Sequence, residues 1–128
     1  MKKTLVGTML VLALLLSACG IASELGAVNE TAEGFMTALR DGDYASGYAL
    51  LGSDLQAELG GEEGWAQFAA PRNFEEWKWT NTEFENDTGK AEGEATLGTE
   101  IYKIILVEQK IGDSWKVVGL DFAFDRNK

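Results

Sequence analysis

Few side chains in this sequence could carry out chemistry, and they are unevenly distributed. Cys19 is the only cysteine among the 128 residues, and histidine is absent. Without histidine the chain lacks the commonest general base and the commonest metal ligand. Acid–base chemistry is left to carboxyl and phenol groups, chiefly Asp121 near the end of the chain together with Tyr44, Tyr48 and Tyr102.

The segment that leads to Cys19 has the pattern of an export signal. Lys2 and Lys3 precede an apolar stretch over residues 5–16. This stretch is shorter than the ~20 residues that a membrane-spanning helix needs, so it is typical of a signal peptide. It closes in Leu16-Ser17-Ala18-Cys19, where small residues lead directly into the cysteine. That ending resembles the lipobox of bacterial lipoproteins.

The lipobox resemblance implies that a diacylglycerol is joined to the thiol and that cleavage leaves Cys19 as the first residue. We therefore predict a signal peptide over 1–18, lipid attachment at Cys19, and export to the outer side of the bacterial cell membrane, or to an outer membrane if the host has one. Two acyl chains make such an anchor stable, whereas one gives only marginal binding. The alternative is an ordinary signal peptide that happens to contain a cysteine, which fits the sequence less well.

The charge of the chain excludes one class of partner. The net charge is −10, and loss of Lys2 and Lys3 with the signal peptide takes it to −12. Such an acidic protein repels phosphate backbones and anionic lipid surfaces, so nucleic acid is not expected as a partner. Because Cys19 would be acylated, no disulfide is predicted either. The 110 residues that remain after removal of the first 18 match the size of one domain.

Helical patterns occupy the first part of the mature chain. Residues 19–27 read as a lipid-anchored tether, and residues 28–128 as a single domain. Val28, Ala32, Phe35, Met36 and Leu39 have the spacing of an amphipathic helix, which Gly42 should end. Three shorter helices are predicted to follow: one capped by Asp43, one opened by a capping box over 53–56, and one over 62–70 that Pro71 ends.

From residue 74 onward the pattern changes to that of strands. Trp77 and Trp79 begin an extended segment that leads to a turn at 86–89, and residues 90–95 alternate charged and small side chains. Strands over 100–111 and 115–124 follow, joined at Gly112 and Asp113 by a turn whose residue order suits type II′. Helices followed by a four-stranded antiparallel meander predict an α+β domain, with the helices packed on one face of the sheet.

The run FMTALRDGDYASGYALLGSDLQAEL, together with the terminal strand SWKVVGLDF, resembles the nuclear transport factor 2-like (NTF2-like, cystatin-like) superfamily. More narrowly, it is similar to small bacterial lipoproteins of unknown function in that group. The resemblance implies a curved sheet wrapped on the helices, a conical cavity, and dimerisation through the open face of the sheet. Scaffolds of this kind host isomerases, dehydratases and non-catalytic binding modules, so the resemblance leaves function open.

Two interpretations of the cavity follow from this resemblance. Enzymes similar to ketosteroid isomerase hold an Asp base and a Tyr inside the cavity, and here Asp121 with Tyr48 would be that pair, giving a small isomerase or hydratase. The interpretation we favour is a non-catalytic module that binds a small apolar ligand or another envelope protein, because buried tyrosines more often serve packing. The residues predicted to line the pocket are Phe35, Tyr44, Tyr48, Trp65 and Tyr102.

Two further groups of residues could form a site, one for a metal ion and one for a partner or ligand. Asp41 with Asp43, and the acidic run 83–87, offer oxygen ligands for Ca²⁺, but neither has the full D-x-[DN]-x-[DN]-G ladder. A helix cap and a solvated face explain them better, so no metal and no cofactor is predicted. Trp77 and Trp79 share one face of their strand; we expect them in the core, with a self-association or ligand surface as the alternative.

Overall fold

The structure of the chain is a computed structural model, which describes residues 24–125. Helices come first and strands second, which confirms the predicted α+β class. The elements are α1 (residues 24–41), α2 (Tyr44–Ala49), α3 (Ser53–Glu58), α4 (Gly61–Ala69), a 3₁₀ turn (Ala70–Arg72), β1 (Glu76–Glu85), β2 (Thr88–Leu97), β3 (Glu100–Ile111) and β4 (Ser114–Phe124). The predicted signal peptide, Cys19 and the first part of the predicted tether lie outside the described residues. Within the described range no helix is long and apolar enough to span a membrane.

Helix α1 buries the apolar stripe that its spacing predicts. The five residues of that stripe are all at most 1% exposed: Val28, Ala32, Phe35, Met36 and Leu39. The helix starts earlier than the sequence suggested, because residues 24–27 are helical rather than part of the predicted 19–27 tether. An ion pair between Glu24 and the Nζ of Lys110 on β3, 2.9 Å long, joins this first turn to the sheet. Gly42 ends the helix with a φ of +69°.

The short helices confirm one predicted cap and contradict another. Asp43 caps α2, because its Oδ1 accepts a hydrogen bond from the backbone N–H of Ser46. At α3 the predicted capping box is wrong: Gly52 is the N-cap and makes no side-chain hydrogen bond, and Gln56 donates to the carbonyl of Tyr48 instead. The reason lies in the sheet, since the backbone N–H of Gly52 donates to the carbonyl of Val117 on β4.

The sheet is an antiparallel meander of order β1-β2-β3-β4, as predicted. Residues 50–52 run along the free edge of β4 through a parallel bridge between Leu51 and Val117. The pairing shifts between Trp79 and Asn81 in β1 and again between Val107 and Glu108 in β3. Bulges of this kind bend a strand and increase its twist, so they curve the sheet around the helices.

The inner face of the sheet is built from small residues on β2 and larger ones on its neighbours. The inward residues of β2 are all buried, and they are Gly89, Ala91, Gly93 and Ala95. Because these side chains are short, the helical layer can approach the sheet closely. Trp65, Phe35, Phe74 and Met36 fill the space between the two layers and are among the largest fully buried side chains.

Candidate functional site

An aromatic cavity lies at the end of the sheet where β2 and β4 finish and β3 begins. Its volume is about 190 Å³, and it is lined by Pro71, Arg72, Phe74, Leu97, Tyr102 and Phe122. The ring of Phe74 packs against Tyr102 and Phe122, with centroids 5.4 Å apart in both pairs. We call this the Tyr102 cavity. Its walls are largely apolar, so it suits a small apolar group.

The polar groups of the Tyr102 cavity already have partners within the protein. The hydroxyl of Tyr102 donates to Oε2 of Glu100 at 2.6 Å, and this hydrogen bond raises the pKa of the phenol. The guanidinium of Arg72 donates to the carbonyl of Phe68 and lies 3.9 Å above the ring of that residue. A phenol held as a donor to a carboxylate is poorly placed to act as a catalytic acid toward a ligand.

The residues predicted to line one pocket lie in three places. Tyr44, Tyr48 and Trp65 line a separate surface cavity of about 420 Å³ between α2 and α4, where the indole N–H of Trp65 donates to the carbonyl of Tyr44. Tyr102 lines the cavity described above. Phe35 is fully buried in the core with its ring centroid 5.6 Å from that of Trp65. These five residues therefore do not share one cavity in the described structure.

Asp121 and Tyr48 are not brought together. Asp121 is exposed and pairs with Ile105, whereas its neighbours Leu120 and Phe122 pack against the core. Since side chains alternate between the two faces of a strand, Asp121 points to the outer face of the sheet. Tyr48 packs against the core on the inner side. The two residues proposed for an isomerase or hydratase thus lie on opposite sides of the sheet.

Trp77 and Trp79 are partly buried against the core, as expected. Both indole N–H groups donate to the same oxygen, Oε1 of Glu33 on α1, at 3.0 and 2.6 Å. The guanidinium of Arg40 lies 5.4 Å from the ring of Trp77. These contacts fix α1 on β1. Among residues 24–125 no group of three or more acidic or sulfur side chains is arranged to hold a metal ion.

Glu108, which none of the predicted sites includes, is the one buried charged residue in the described part of the chain. It has no exposed surface, and neither carboxyl oxygen has a hydrogen-bond partner. Burial raises the pKa of Glu108 to about 8. A signal for this position existed, because Ile104, Leu106 and Glu108 alternate on β3 and so share the inner face.

Comparison with known proteins supports the fold alone. No family model matches the chain, and no curated protein sequence matches it significantly. An NTF2-like protein of unknown function from Silicibacter pomeroyi is similar in structure, with a TM-score of 0.64, 11% identity, and coverage of 81% of this chain and 98% of the other. A protein of unknown function from the DUF3225 family of Pectobacterium atrosepticum has a TM-score of 0.63 and 21% identity, over 81% of this chain and 92% of the other.

A third structure is similar at the same level. It is a protein of unknown function with a cystatin-like fold from Nostoc punctiforme, with a TM-score of 0.59, 18% identity, and coverage of 79% of this chain and 90% of the other. The chain therefore has the NTF2-like, cystatin-like fold that its sequence resembles. That fold is compatible with ligand binding and with isomerase-like roles, and fold alone does not choose between them.

Proposed function

We propose that the protein is a lipid-anchored envelope protein whose domain binds a small apolar ligand, or an apolar side chain of another envelope protein, without catalysis. The Tyr102 cavity is the observation that carries this proposal. Its volume of about 190 Å³ is bounded mainly by aromatic and aliphatic side chains, Arg72 is the one charged residue of its lining, and no acidic residue lines it. Sites for drug-sized ligands span roughly 300–1,000 Å³, so a cavity of this size suits a one- or two-ring molecule or a single side chain.

The enzymatic alternative finds no support in the arrangement of its residues. A general base must lie within hydrogen-bond reach of the substrate proton. Asp121 is exposed on the outer face of the sheet, away from Tyr48 and from the Tyr102 cavity. Binding without catalysis is therefore the function that the geometry favours.

The anchor part of the proposal is supported by the sequence. Lys2, Lys3, the apolar stretch 5–16 and the small residues before Cys19 form one consistent pattern. Since the acidic domain is repelled by anionic lipid, the diacylglycerol on Cys19 would be the means of attachment to the outer side of the membrane.

A homodimer through the outer face of the sheet belongs to the same proposal. Ile105 and Val107 lie on this face of β3, and Lys90 and Glu92, which form an ion pair 2.6 Å long, lie beside them on β2. An apolar strip bordered by charges fits the core-and-rim pattern of interfaces. Native mass spectrometry decides the point, and a purely monomeric species at micromolar concentration would contradict it.

The variant Cys19→Ala is expected to move the protein from the membrane fraction to the soluble fraction or to leave it unprocessed. The reason is that the thiol is the attachment atom for both acyl chains. Membrane fractionation, with mass spectrometry of the N-terminal peptide, measures the outcome. The matched control Ser17→Ala keeps a small residue before the cysteine and should retain the lipid. A Cys19→Ala protein that stays in the membrane fraction after the first 18 residues have been removed would disprove the anchor.

The variant Leu97→Trp is expected to weaken binding of a small aromatic probe such as indole by about tenfold or more. Leu97 lines the Tyr102 cavity, and a larger side chain there would occupy the space that the probe needs. Titration followed by NMR shifts of the aromatic residues measures the affinity. Tyr44→Ala is the control, because Tyr44 lines the other cavity. If Tyr44→Ala abolished binding and Leu97→Trp did not, the Tyr102 cavity would not be the site.

A further inference from the structure

Glu108 lies at the opposite end of the sheet from the Tyr102 cavity, beneath the first turns of α1. In the register of the sheet it faces Gly89 on β2 and Val117 on β4. The carboxyl group has no exposed surface and no hydrogen-bond partner. The indole N–H of Trp115, also on the inner face, is buried without a partner as well.

The ring of Trp115 spans the sheet directly at this level. A Cβ atom added to Gly89 would lie 3.3 Å from Cζ3 of Trp115 and 2.7 Å from Cγ2 of Val28. Trp115 belongs to β4 and Gly89 to β2, so the indole must reach across β3, over two strand spacings of about 4.8 Å each. The residue of β3 opposite Gly89 is Glu108. Glu108 therefore belongs to the same buried end of the inner face as the indole of Trp115, the side chain of Val28 and Val117.

Few polar contacts hold the first turns of α1 on the end of the sheet that contains Glu108. Glu24 pairs with Lys110 at 2.9 Å, and the hydroxyl of Thr82 on β1 donates to Oδ1 of Asn29 at 2.8 Å. Lys110 follows Glu108 by two residues and so lies on the same face of β3. The buried apolar contact of this part of the helix is Val28.

Carboxylates from several elements at this end of the sheet act on Lys110, whereas burial is the cause of the raised pKa of Glu108. Glu24, followed by Asp87 in the β1–β2 turn and Asp113 in the β3–β4 turn, raises the pKa of Lys110. The positions that face Glu108 in the sheet are Gly89 and Val117, and neither is titratable; the same holds for Leu51, which bridges to Val117, and for Trp115, which pairs with Lys110. The neighbouring charges on the other strands have their own surroundings: Lys90 pairs with Glu92, Lys116 donates to the carbonyl of Ala49, and Glu83 and Glu85 are exposed.

Ionisation of a carboxyl group in this place is strongly unfavourable. A buried carboxylate without a partner loses its hydration and gains no hydrogen bond in exchange. Two changes would stabilise the ionised carboxylate of Glu108, and both weaken the docking of α1. Lifting the first turns of the helix admits water, and turning Lys110 from Glu24 towards Glu108 removes the ion pair that holds the first turn.

We propose that the first two turns of α1, residues 24–31, form a proton-dependent latch that stays docked on the sheet while Glu108 is protonated and undocks when Glu108 ionises. The direction follows from the two states. Burial raises the pKa of Glu108 from 4.5 to about 8 in the docked state. In the undocked state the hydrated carboxyl titrates near its ordinary value. The docked state is therefore favoured in acid and is progressively lost as the pH rises through this interval.

One consequence rests on the proposed function. If the lipid is on Cys19, undocking of residues 24–31 lengthens the segment between the anchor and the domain by eight residues. Eight extended residues add at most about 28 Å of reach. The distance at which the domain can meet a partner above the membrane would then vary with pH.

Hydrogen exchange of the full chain in detergent micelles tests the latch. We expect the amides of residues 28–33 to be less protected than those in the centre of β2 and β3, and their protection factors to fall by about tenfold per pH unit as the pH rises from 5 towards 8. In Glu108→Gln this fall should disappear. The control Glu30→Gln changes an exposed carboxyl of the same helix and should keep it.

Each result decides the proposal. Protection factors of residues 28–33 that equal those of β2 and β3 would mean that α1 opens only when the whole domain unfolds, and the latch would be wrong. Protection factors of residues 28–33 that do not change with pH in the unmodified chain would also overturn the latch. If Glu108→Gln does not fold, Glu108→Met takes its place, and a pH-dependent fall that persists in either variant would assign the effect to another group.

Discussion

Glu108→Met is expected to stabilise the protein at pH 8 by about 3 to 5 kcal/mol and to remove most of the pH dependence of unfolding between pH 4.5 and 8. In the unmodified protein the folded state holds a proton on Glu108 up to about pH 8, whereas the unfolded state releases it near pH 4.5. The unfolded state therefore binds fewer protons in this interval. Stability is complete in acid and is lost as the pH rises towards the pKa of the folded state.

The size of this effect follows from the shift in pKa. A shift of one pKa unit corresponds to about 1.4 kcal/mol in the free energy of unfolding, and partial access of water to the carboxyl lowers the total. Domains of this size are stable by only about 5–15 kcal/mol, so the expected change is a large fraction of the total. Asp43 and Glu92 have pKa values lowered by hydrogen bonds with Ser46 and Lys90. Their contribution to the pH dependence of stability has the opposite sign and is confined to acid. Above pH 5 the pH dependence of unfolding is therefore expected to come from Glu108.

Urea unfolding followed by tryptophan fluorescence at several pH values between 5 and 8 measures this effect. Glu83→Met is the matched control, because it makes the same chemical change at an exposed position of β1. This control should leave the pH dependence intact. A wild-type free energy of unfolding that does not change over this interval would show that the Glu108 carboxyl is hydrated in the folded protein.

The features that the sequence predicted well are those set by local rules. The stripe on α1 follows from a period of 3.6 residues, and the strands and turns follow from alternation and from Gly42 and Gly112, each with a positive φ. The same alternation would have placed Asp121 outside the sheet, because Leu120 and Phe122 flank it. The local pattern of β4 therefore speaks against the alternative in which Asp121 serves as a base inside the cavity.

Other features depend on contacts between distant parts of the chain. Glu108 is inward by alternation, but glutamates are normally solvated, and its full burial depends on how α1 packs on this end of the sheet. The start of α1 depends on the ion pair between Glu24 and Lys110, 86 residues apart. The division of the predicted pocket into two depends on how α2 and α4 pack on each other. No local pattern encodes these three outcomes.

Gly93→Ala is expected to destabilise the domain by about 3 kcal/mol or more. Gly93 is buried on β2 opposite Trp79, next to the bulge that shifts the pairing of β1. A Cβ atom here would lie 2.2 Å from the carbonyl oxygen of Lys78 and 3.0 Å from Cε3 of Trp79. The first of these is a backbone atom, so relief requires movement of the strand itself. Thermal unfolding should show a fall in Tm of about 12 °C or more.

Gly34→Ala makes the same chemical change and is expected to stabilise the domain instead of destabilising it. Gly34 lies within α1, and the nearest atom to an added Cβ is Cδ1 of Leu50 at an ordinary contact distance of 3.6 Å. Alanine in a helix is favoured over glycine by roughly 0.5–1 kcal/mol, so this variant should be more stable than the unmodified chain. Two Gly→Ala changes with opposite effects would separate the requirement for close approach at the bulge from any general effect of glycine. If Gly93→Ala were as stable as Gly34→Ala, the curvature of β1 would not depend on the absence of a side chain at position 93. The helix–sheet interface would then have to tolerate the shift of β1 that the added Cβ requires.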